Sequence, residues 1–153
     1  MVSKNGCFIV FEGIDGSGKS TQISLLKDHI EEHSINCMTT MEPSNGPIGT
    51  LLRQFLSGRI KGEETTLTAL FAADRLDHLN NPVNGIRKLL EDGIAVISDR
   101  YVFSNYAYQS VSVPLEWIMK CNEMANEIVR PDCHIFIDVA PETAMDRVSK
   151  GRH

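Results

Sequence analysis

Phe8-Ile9-Val10-Phe11-Glu12-Gly13-Ile14-Asp15-Gly16-Ser17-Gly18-Lys19-Ser20-Thr21 is the stretch that decides how this chain folds. The apolar run 7–11 has the length and composition of a buried strand, and Ile23, Leu26 and Ile30 then follow at helical spacing. Between strand and helix, Gly13 to Ser20 spells G-x-x-x-x-G-K-[ST], the pattern of a loop that cradles phosphate. Gly13, Gly16 and Gly18 let the backbone wrap so that successive N–H groups point inward, and the helix N-terminus adds its partial positive charge. Lys19 then suits the outer phosphates and the Ser20 hydroxyl suits a divalent cation. A tight glycine turn with a surface lysine is the plainer alternative, but it leaves the strand-loop-helix context unexplained. A dinucleotide site would want G-x-G-x-x-G with a later acid, and would give Lys19 and Ser20 no task.

Working outward, apolar runs at 37–41, 94–97 and 134–138 read as further strands. The segments between them carry apolar residues three and four apart: Leu51, Leu52, Phe55 and Leu56; Leu67, Leu70 and Phe71; Ile86, Leu89 and Leu90; Leu115, Ile118 and Met119. Each of these helices is expected to lay one face on the sheet. Pro82, Pro114 and Pro141 stand at or just before helix starts, and Gly58 and Gly93 after helix ends. Strands alternating with helices predict an α/β fold: a parallel sheet with helices on both faces, in three layers. With no repeat or linker, 1–153 reads as a single domain.

The composition, 42% apolar and 23% charged, fits a chain that buries a real core. A net charge of -5 offers no global positive field for nucleic acid or an anionic membrane, so any phosphate binding is local. No run approaches a membrane span and the start lacks a secretory pattern, which points to a cytoplasmic location. Cys7, Cys37, Cys121 and Cys133 show no C-x-x-C pairing and read as reduced core thiols.

A phosphate loop alone does not separate a kinase from a GTPase or a motor. No N-K-x-D guanine signature occurs. What narrows the choice is a set of segments: Phe11 to Gln22, Glu42-Pro43, Leu70-Phe71-Ala72-Ala73-Asp74-Arg75 with His78, and Asp99-Arg100-Tyr101 through Ser104 to Tyr108-Gln109. In order and spacing these resemble the thymidylate kinases, across essentially the whole chain. The resemblance implies the P-loop NTPase fold and ATP-dependent phosphorylation of dTMP to dTDP with Mg2+. It also implies a homodimer, with ATP and dTMP as the small-molecule partners.

By that resemblance, Gly13, Ile14, Asp15, Gly16, Ser17, Gly18, Lys19, Ser20 and Thr21 hold the ATP phosphates, and Ser20 and Asp99 serve the metal. Lys19, Arg100, Asp99 and Asp15 are the catalytic set. Arg100 clamps the dTMP phosphate and Asp15 reaches the acceptor's 3'-hydroxyl. Phe71 and Arg75 are four apart and share a helix face. Phe71 would stack on thymine while Arg75 bonds its carbonyl edge. Asn105 and Tyr108, with Ser104 and Gln109, match positions near the base edge and sugar; Glu42, Pro43 and Arg53 border the acceptor phosphate. Plainer alternatives stand beside each: Phe71 as core with Arg75 a solvated charge, Asp99-Arg100 as an ion pair at the sheet edge, the polar residues as loop satisfiers, and Gly46-Pro47 as an ordinary turn.

Ile14, Asp15, Gly16 and Ser17 include no base, so the chain resembles the class that delivers a catalytic cation from a mobile lid. That lid is expected to begin near 147 and to extend past residue 153, with Arg147, Lys150 and Arg152 as its candidates; cations dressing a helix end would look the same. Adenylate kinases expect a proline-containing phosphate loop and deoxynucleoside kinases Glu-Arg-Ser in place of Asp99-Arg100-Tyr101. Another nucleoside or nucleoside monophosphate kinase, or a P-loop module that binds without transfer, are the remaining alternatives.

Overall fold

The computed structural model describes residues 5–151. Among them, β1 (Phe8–Glu12), β2 (Cys37–Met41), β3 (Ala95–Asp99) and β4 (Cys133–Phe136) pair in the order β2-β3-β1-β4, every pairing parallel. Parallel neighbours need long crossovers. The connecting segments supply them as α1 (Lys19–Glu32), α2 (Pro47–Leu56), α3 (Glu64–Asn80), α4 (Ile86–Glu91), α5 (Val102–Gln109), α6 (Leu115–Ile128) and α7 (Pro141–Ser149). The three-layer α/β architecture expected from the sequence is the one adopted.

Strand alternation builds the two layers. Phe8, Val10 and Val96 face one side, against Leu79 of α3, Ile86 and Leu90 of α4, and Ala125 of α6. Phe11, Ala95 and Ile97 face the other side, against Ile23 of α1 with Leu26 and Ile30 at the margin. Each fully covered side chain of this kind contributes roughly 1.5–3 kcal/mol. β1 and β3 lie inside the sheet and are its most buried strands, with Phe11 directly opposite Asp99. The segments that follow them, residues 13–18 and Arg100, therefore leave the same edge side by side, where open parallel sheets place ligands.

Several expectations need correction. β2 coincides with its sequence-read run, whereas the ends of β1, β3 and β4 lie one or two residues from theirs, with β4 starting at Cys133. β4 is an edge strand, so Cys133 is exposed, and Cys7 precedes β1 and is exposed too; of the four cysteines among the described residues, Cys37 alone is buried. α2 and α6 pack chiefly on α3, the longest helix, and α6 also reaches the sheet layer through Ala125. Leu51, Leu56, Leu115 and Met119 consequently stay largely exposed. Pro82 lies in the turn after α3, while α4 starts at Ile86 behind Gly85. Pro47 and Pro141 open α2 and α7, positions where the missing N–H costs nothing.

Candidate active site

Residues 13–18 form an arch onto the start of α1. Gly18 caps α1 in the left-handed region with φ 101°, and the first turn carries no acidic residue, so the helix N-terminus keeps its N–H donors and positive end open. Gly16 has φ 79°, and a Cβ there would stand 2.4 Å from the Ala144 carbonyl oxygen; the loop and α7 touch too closely for any side chain. From α7, Arg147 Nη1 donates to the Gly16 and Ser17 carbonyls at 3.2 Å each. Lys19 folds back over the arch, its Nζ donating to Gly13 O at 3.1 Å and Ile14 O at 3.2 Å.

Arg100 stands where this loop meets the neighbouring strand. Its Nη2 donates to Asp15 Oδ1 at 2.6 Å and its Nη1 to Ser104 Oγ at 2.8 Å, while its guanidinium lies 5.2 Å from the centre of the Tyr108 ring. Its backbone sits at φ 72°, a left-handed conformation that costs a non-glycine residue about 1–3 kcal/mol. The conformation is held by Arg100 N donating to Phe11 O at 2.8 Å and Ser98 Oγ donating to Arg100 O at 2.7 Å. Beneath it, the buried Glu12 carboxylate accepts from Tyr101 N at 3.0 Å, Ser104 N at 3.3 Å and Ser104 Oγ at 2.5 Å. The end of β1 thus caps the N-terminus of α5 with a charge of the favourable sign.

Burial depresses the Lys19 pKa, and nearby Arg100 pushes it further down against Asp99, Asp15 and Glu12. Burial likewise raises the Asp99 pKa, relieved in part by Lys19 and Arg100. For Arg100, burial works against the charge, but Tyr108 and the bond to Asp15 outweigh it and its pKa rises. Lys19 Nζ and Asp99 Oδ1 are 3.9 Å apart, and that oxygen is buried with no hydrogen-bond partner among the described residues. A buried carboxylate oxygen without a hydrogen bond thus faces the lysine at the mouth of the loop.

On the far side of Arg100 opens a cavity of about 490 Å³, lined by Asp15, Glu42, Pro43, Leu56, Phe71, Arg75, Arg100, Tyr101, Ser104, Asn105, Tyr108 and Gln109. That is ample for a nucleotide-sized ligand. Arg75 forms its floor with 1% of its side chain exposed. Its Nε and Nη2 donate to Glu42 Oε2 at 2.9 Å and 2.5 Å, its Nη1 donates to Asn122 Oδ1 and at 3.5 Å to Asn105 Oδ1, and its guanidinium lies 5.0 Å from the Tyr101 ring centre. Glu42 also faces His78, Oε1 to Nδ1 at 3.6 Å, while His78 Nε2 meets Thr40 Oγ1 at 2.6 Å. Burial, then the Glu42 charge, hold the Tyr101 phenol well above its usual pKa.

Ten of the eleven residues that the sequence singled out for the acceptor therefore share one cavity wall, and Arg53 does not. Arg53 instead donates to Pro43 O at 2.9 Å and Ser44 O at 2.7 Å, tying down the loop that carries Glu42. Of the lid candidates, Arg147 braces the phosphate loop, Lys150 pairs with Asp146 on the surface, and Arg152 lies outside the described residues.

A family model for thymidylate kinase matches residues 11–153. The chain belongs to the thymidylate kinase family. It is 42% identical over 144 residues to the thymidylate kinase of Symbiobacterium thermophilum, covering 92% of this chain and 66% of that protein. Against the thymidylate kinase of Caldicellulosiruptor saccharolyticus it is 39% identical over 146 residues, covering 94% and 69%. Against the probable thymidylate kinase of Methanococcus aeolicus it is 42% identical over 142 residues, covering 92% and 65%. The chain thus spans about two thirds of the length of the curated relatives it matches.

Within this member of the thymidylate kinase family, the sequence reading quoted Glu12, Asp74 and Tyr101 inside the segments that carry the resemblance but gave them no role, and it passed over Asn122. Asp74 accepts from Ser44 N at 2.7 Å and Ser44 Oγ at 2.6 Å, fixing the same loop that Arg53 ties. An acid ending an apolar strand was the one available signal for Glu12; Asn122 has none in its own helix.

Proposed function

We propose that this chain carries the phosphate-binding and acceptor core of an enzyme that transfers the γ-phosphoryl group of ATP to dTMP, giving dTDP. The observation that carries the reading is the continuity of the cavity with the phosphate loop through Arg100 and Asp15, which places an aromatic-and-guanidinium pocket and an anion cradle end to end. In this reading the loop N–H groups and the α1 N-terminus hold the ATP phosphates, and Lys19 leaves the Gly13 and Ile14 carbonyls to meet the outer ones. Arg100 holds the acceptor phosphate in line, Phe71 stacks on the base, Arg75 and Asn105 bond its edge, and Tyr108 crowds the sugar's 2' position. Asp15 exchanges its bond to Arg100 for the 3'-hydroxyl. Positioning and charge stabilisation are the whole demand of this chemistry, since the transferred group needs little covalent help.

The Asp99 carboxylate, unpartnered at Oδ1, and the Ser20 hydroxyl fit magnesium, a hard cation that takes oxygen ligands. When bound with ATP, magnesium neutralises charge on the β- and γ-phosphates. A homodimer belongs to the same reading, supported by the exposed Leu115, Trp117, Met119 and Met124 of α6, and so does a cytoplasmic location, supported by the free thiols of Cys37, Cys121 and Cys133. Among the described residues no helix is long and apolar enough to cross a membrane. One domain beginning a lid near 147 completes it.

ADP release should be measured with dTMP, dUMP, UMP, CMP, AMP and thymidine as acceptors, alongside calorimetric binding of each. The expected result is preferential binding and phosphorylation of dTMP. Preference for another acceptor refutes the assignment, and ADP release with none of them favours a binding module.

A further inference from the structure

A loop that turns its N–H groups inward turns carbonyls outward, because the two groups of a trans peptide unit point in opposite directions. Outward carbonyls need donors of their own wherever little water reaches them. Ser17 is buried, a Cβ on Gly16 would stand 2.4 Å from Ala144 O and 3.0 Å from Val148 Cγ2, and one on Gly18 would stand 3.9 Å from Arg147 Nη1. α7 therefore closes the back of the loop. The half-buried Arg147 serves both carbonyls there with one nitrogen, Nη1 donating to Gly16 O and Ser17 O at 3.2 Å each.

Each of these bonds fixes a peptide unit and so aims the N–H on its other side. The unit that carries Gly16 O also carries the N–H of Ser17, which closes a turn on Ile14 O at 3.1 Å. The unit that carries Ser17 O also carries the N–H of Gly18, the residue that caps α1, and sends it away from α7. Gly13, Gly16 and Gly18 leave the arch free to take other conformations, so a tie from outside is what holds this one. Both protons of Arg147 Nη1 are committed to it.

We propose that Arg147 is a positioning residue for the phosphate donor, setting the inward N–H groups of the loop through their carbonyls without touching the nucleoside end of ATP. Its charge also polarises the same two peptide units, which strengthens the donors on their far side. The inference rests on reading residues 13–18 as the cradle of the ATP phosphates. It gives that cradle a support 130 positions away in the chain.

Inorganic tripolyphosphate, which has the phosphates and no nucleoside, separates this role from a contact with base or sugar. With magnesium present, titration calorimetry should show Arg147→Met weakening tripolyphosphate and ATP by the same factor, roughly tenfold, while dTMP affinity holds. Arg147→Gln, too short to span both carbonyls, should show the same pattern, and either folded variant decides. Arg147→Lys, whose ammonium can still meet the carbonyls, should recover most of the loss. Added salt screens charge acting at a distance, so a ratio of wild type to Arg147→Met that persists in high salt marks the bonds themselves. Hydrogen exchange followed by NMR reads the loop without a ligand: the Ser17 amide should exchange faster in Arg147→Met than in the wild type. A loss confined to ATP, with tripolyphosphate unchanged, overturns the proposal and puts Arg147 at the nucleoside. An equal loss for dTMP overturns it as general destabilisation, and so does a Ser17 amide that exchanges as in the wild type. If the wild type binds neither ATP nor tripolyphosphate, the cradle reading fails and this inference with it, an outcome distinct from binding that Arg147 does not influence.

Discussion

Glu42→Gln removes one charge from a site where almost no water can replace it. Arg75 and Glu42 expose 1% and 4% of their side chains, and Glu42 Oε2 takes two guanidinium protons, at 2.9 Å and 2.5 Å. The amide keeps the shape of the acid and one acceptor oxygen, so the change isolates the charge. Removing one partner of a buried pair costs about 3–5 kcal/mol, because the survivor is left uncompensated. An exposed pair would cost under about 1 kcal/mol. Native domains hold about 5–15 kcal/mol in total, and each kcal/mol is worth about 2–4 °C for a chain of this size. The expected fall in thermal midpoint is therefore roughly 6–20 °C. Urea titration read by far-UV circular dichroism gives the free energy, and a melt gives the midpoint. The double replacement Glu42→Leu with Arg75→Met should be milder than Glu42→Gln alone, since it leaves no orphaned charge. A loss under about 1 kcal/mol for Glu42→Gln would refute the picture of a dry ion pair under the cavity.

Gly16→Ala and Gly58→Ala form a matched test, since φ is 79° and 73° but only Gly16 has a backbone oxygen 2.4 Å from the added carbon, while Gly58 has nothing within 4 Å. Both should lose about 1–2 kcal/mol to the left-handed backbone, but Gly16→Ala should lose more and weaken ATP binding; equal effects would remove the proposed contact between loop and α7. Tyr101→Phe should flatten the alkaline side of the stability curve. The unfolded phenol loses its proton near pH ~10 while burial keeps the folded one protonated, so the wild type loses stability as pH rises past that point and the variant does not; parallel melting curves from neutral to alkaline pH would contradict this. Asp99→Asn should raise the ligand-free thermal midpoint by removing a carboxylate that burial disfavours, and should abolish the tightening of ATP binding by magnesium; retained magnesium dependence in calorimetry would dismiss Asp99 as a ligand.

The phosphate loop was legible because its geometry is contiguous: glycines, lysine and serine act within a few residues of one another, so spacing alone carries the shape. The strands were legible for the same reason, being short apolar runs, although the ends of β1, β3 and β4 were displaced by a residue or two. Helical periodicity revealed that α2 and α6 have apolar faces, but a stripe does not name its partner, and α3 is the chief one. The cavity wall was recovered through family likeness and not through pattern. Arg53 stands outside that wall, with its bonds going to the carbonyls of residues 43 and 44. Glu12 and Asn122 act on partners 89 and 47 positions away in the chain, and no local rule exposes such a pairing.

The register of β1 against β3 has a mechanical meaning. Because Phe11 sits opposite Asp99, the anion cradle and the guanidinium of Arg100 are launched from neighbouring rungs of one ladder. Sliding that ladder by a single rung would change their separation by about 3.3 Å and turn every side chain to the wrong layer. The gap between the cradle and that guanidinium is therefore graduated in whole backbone steps, and only the swing of side chains remains for fine adjustment.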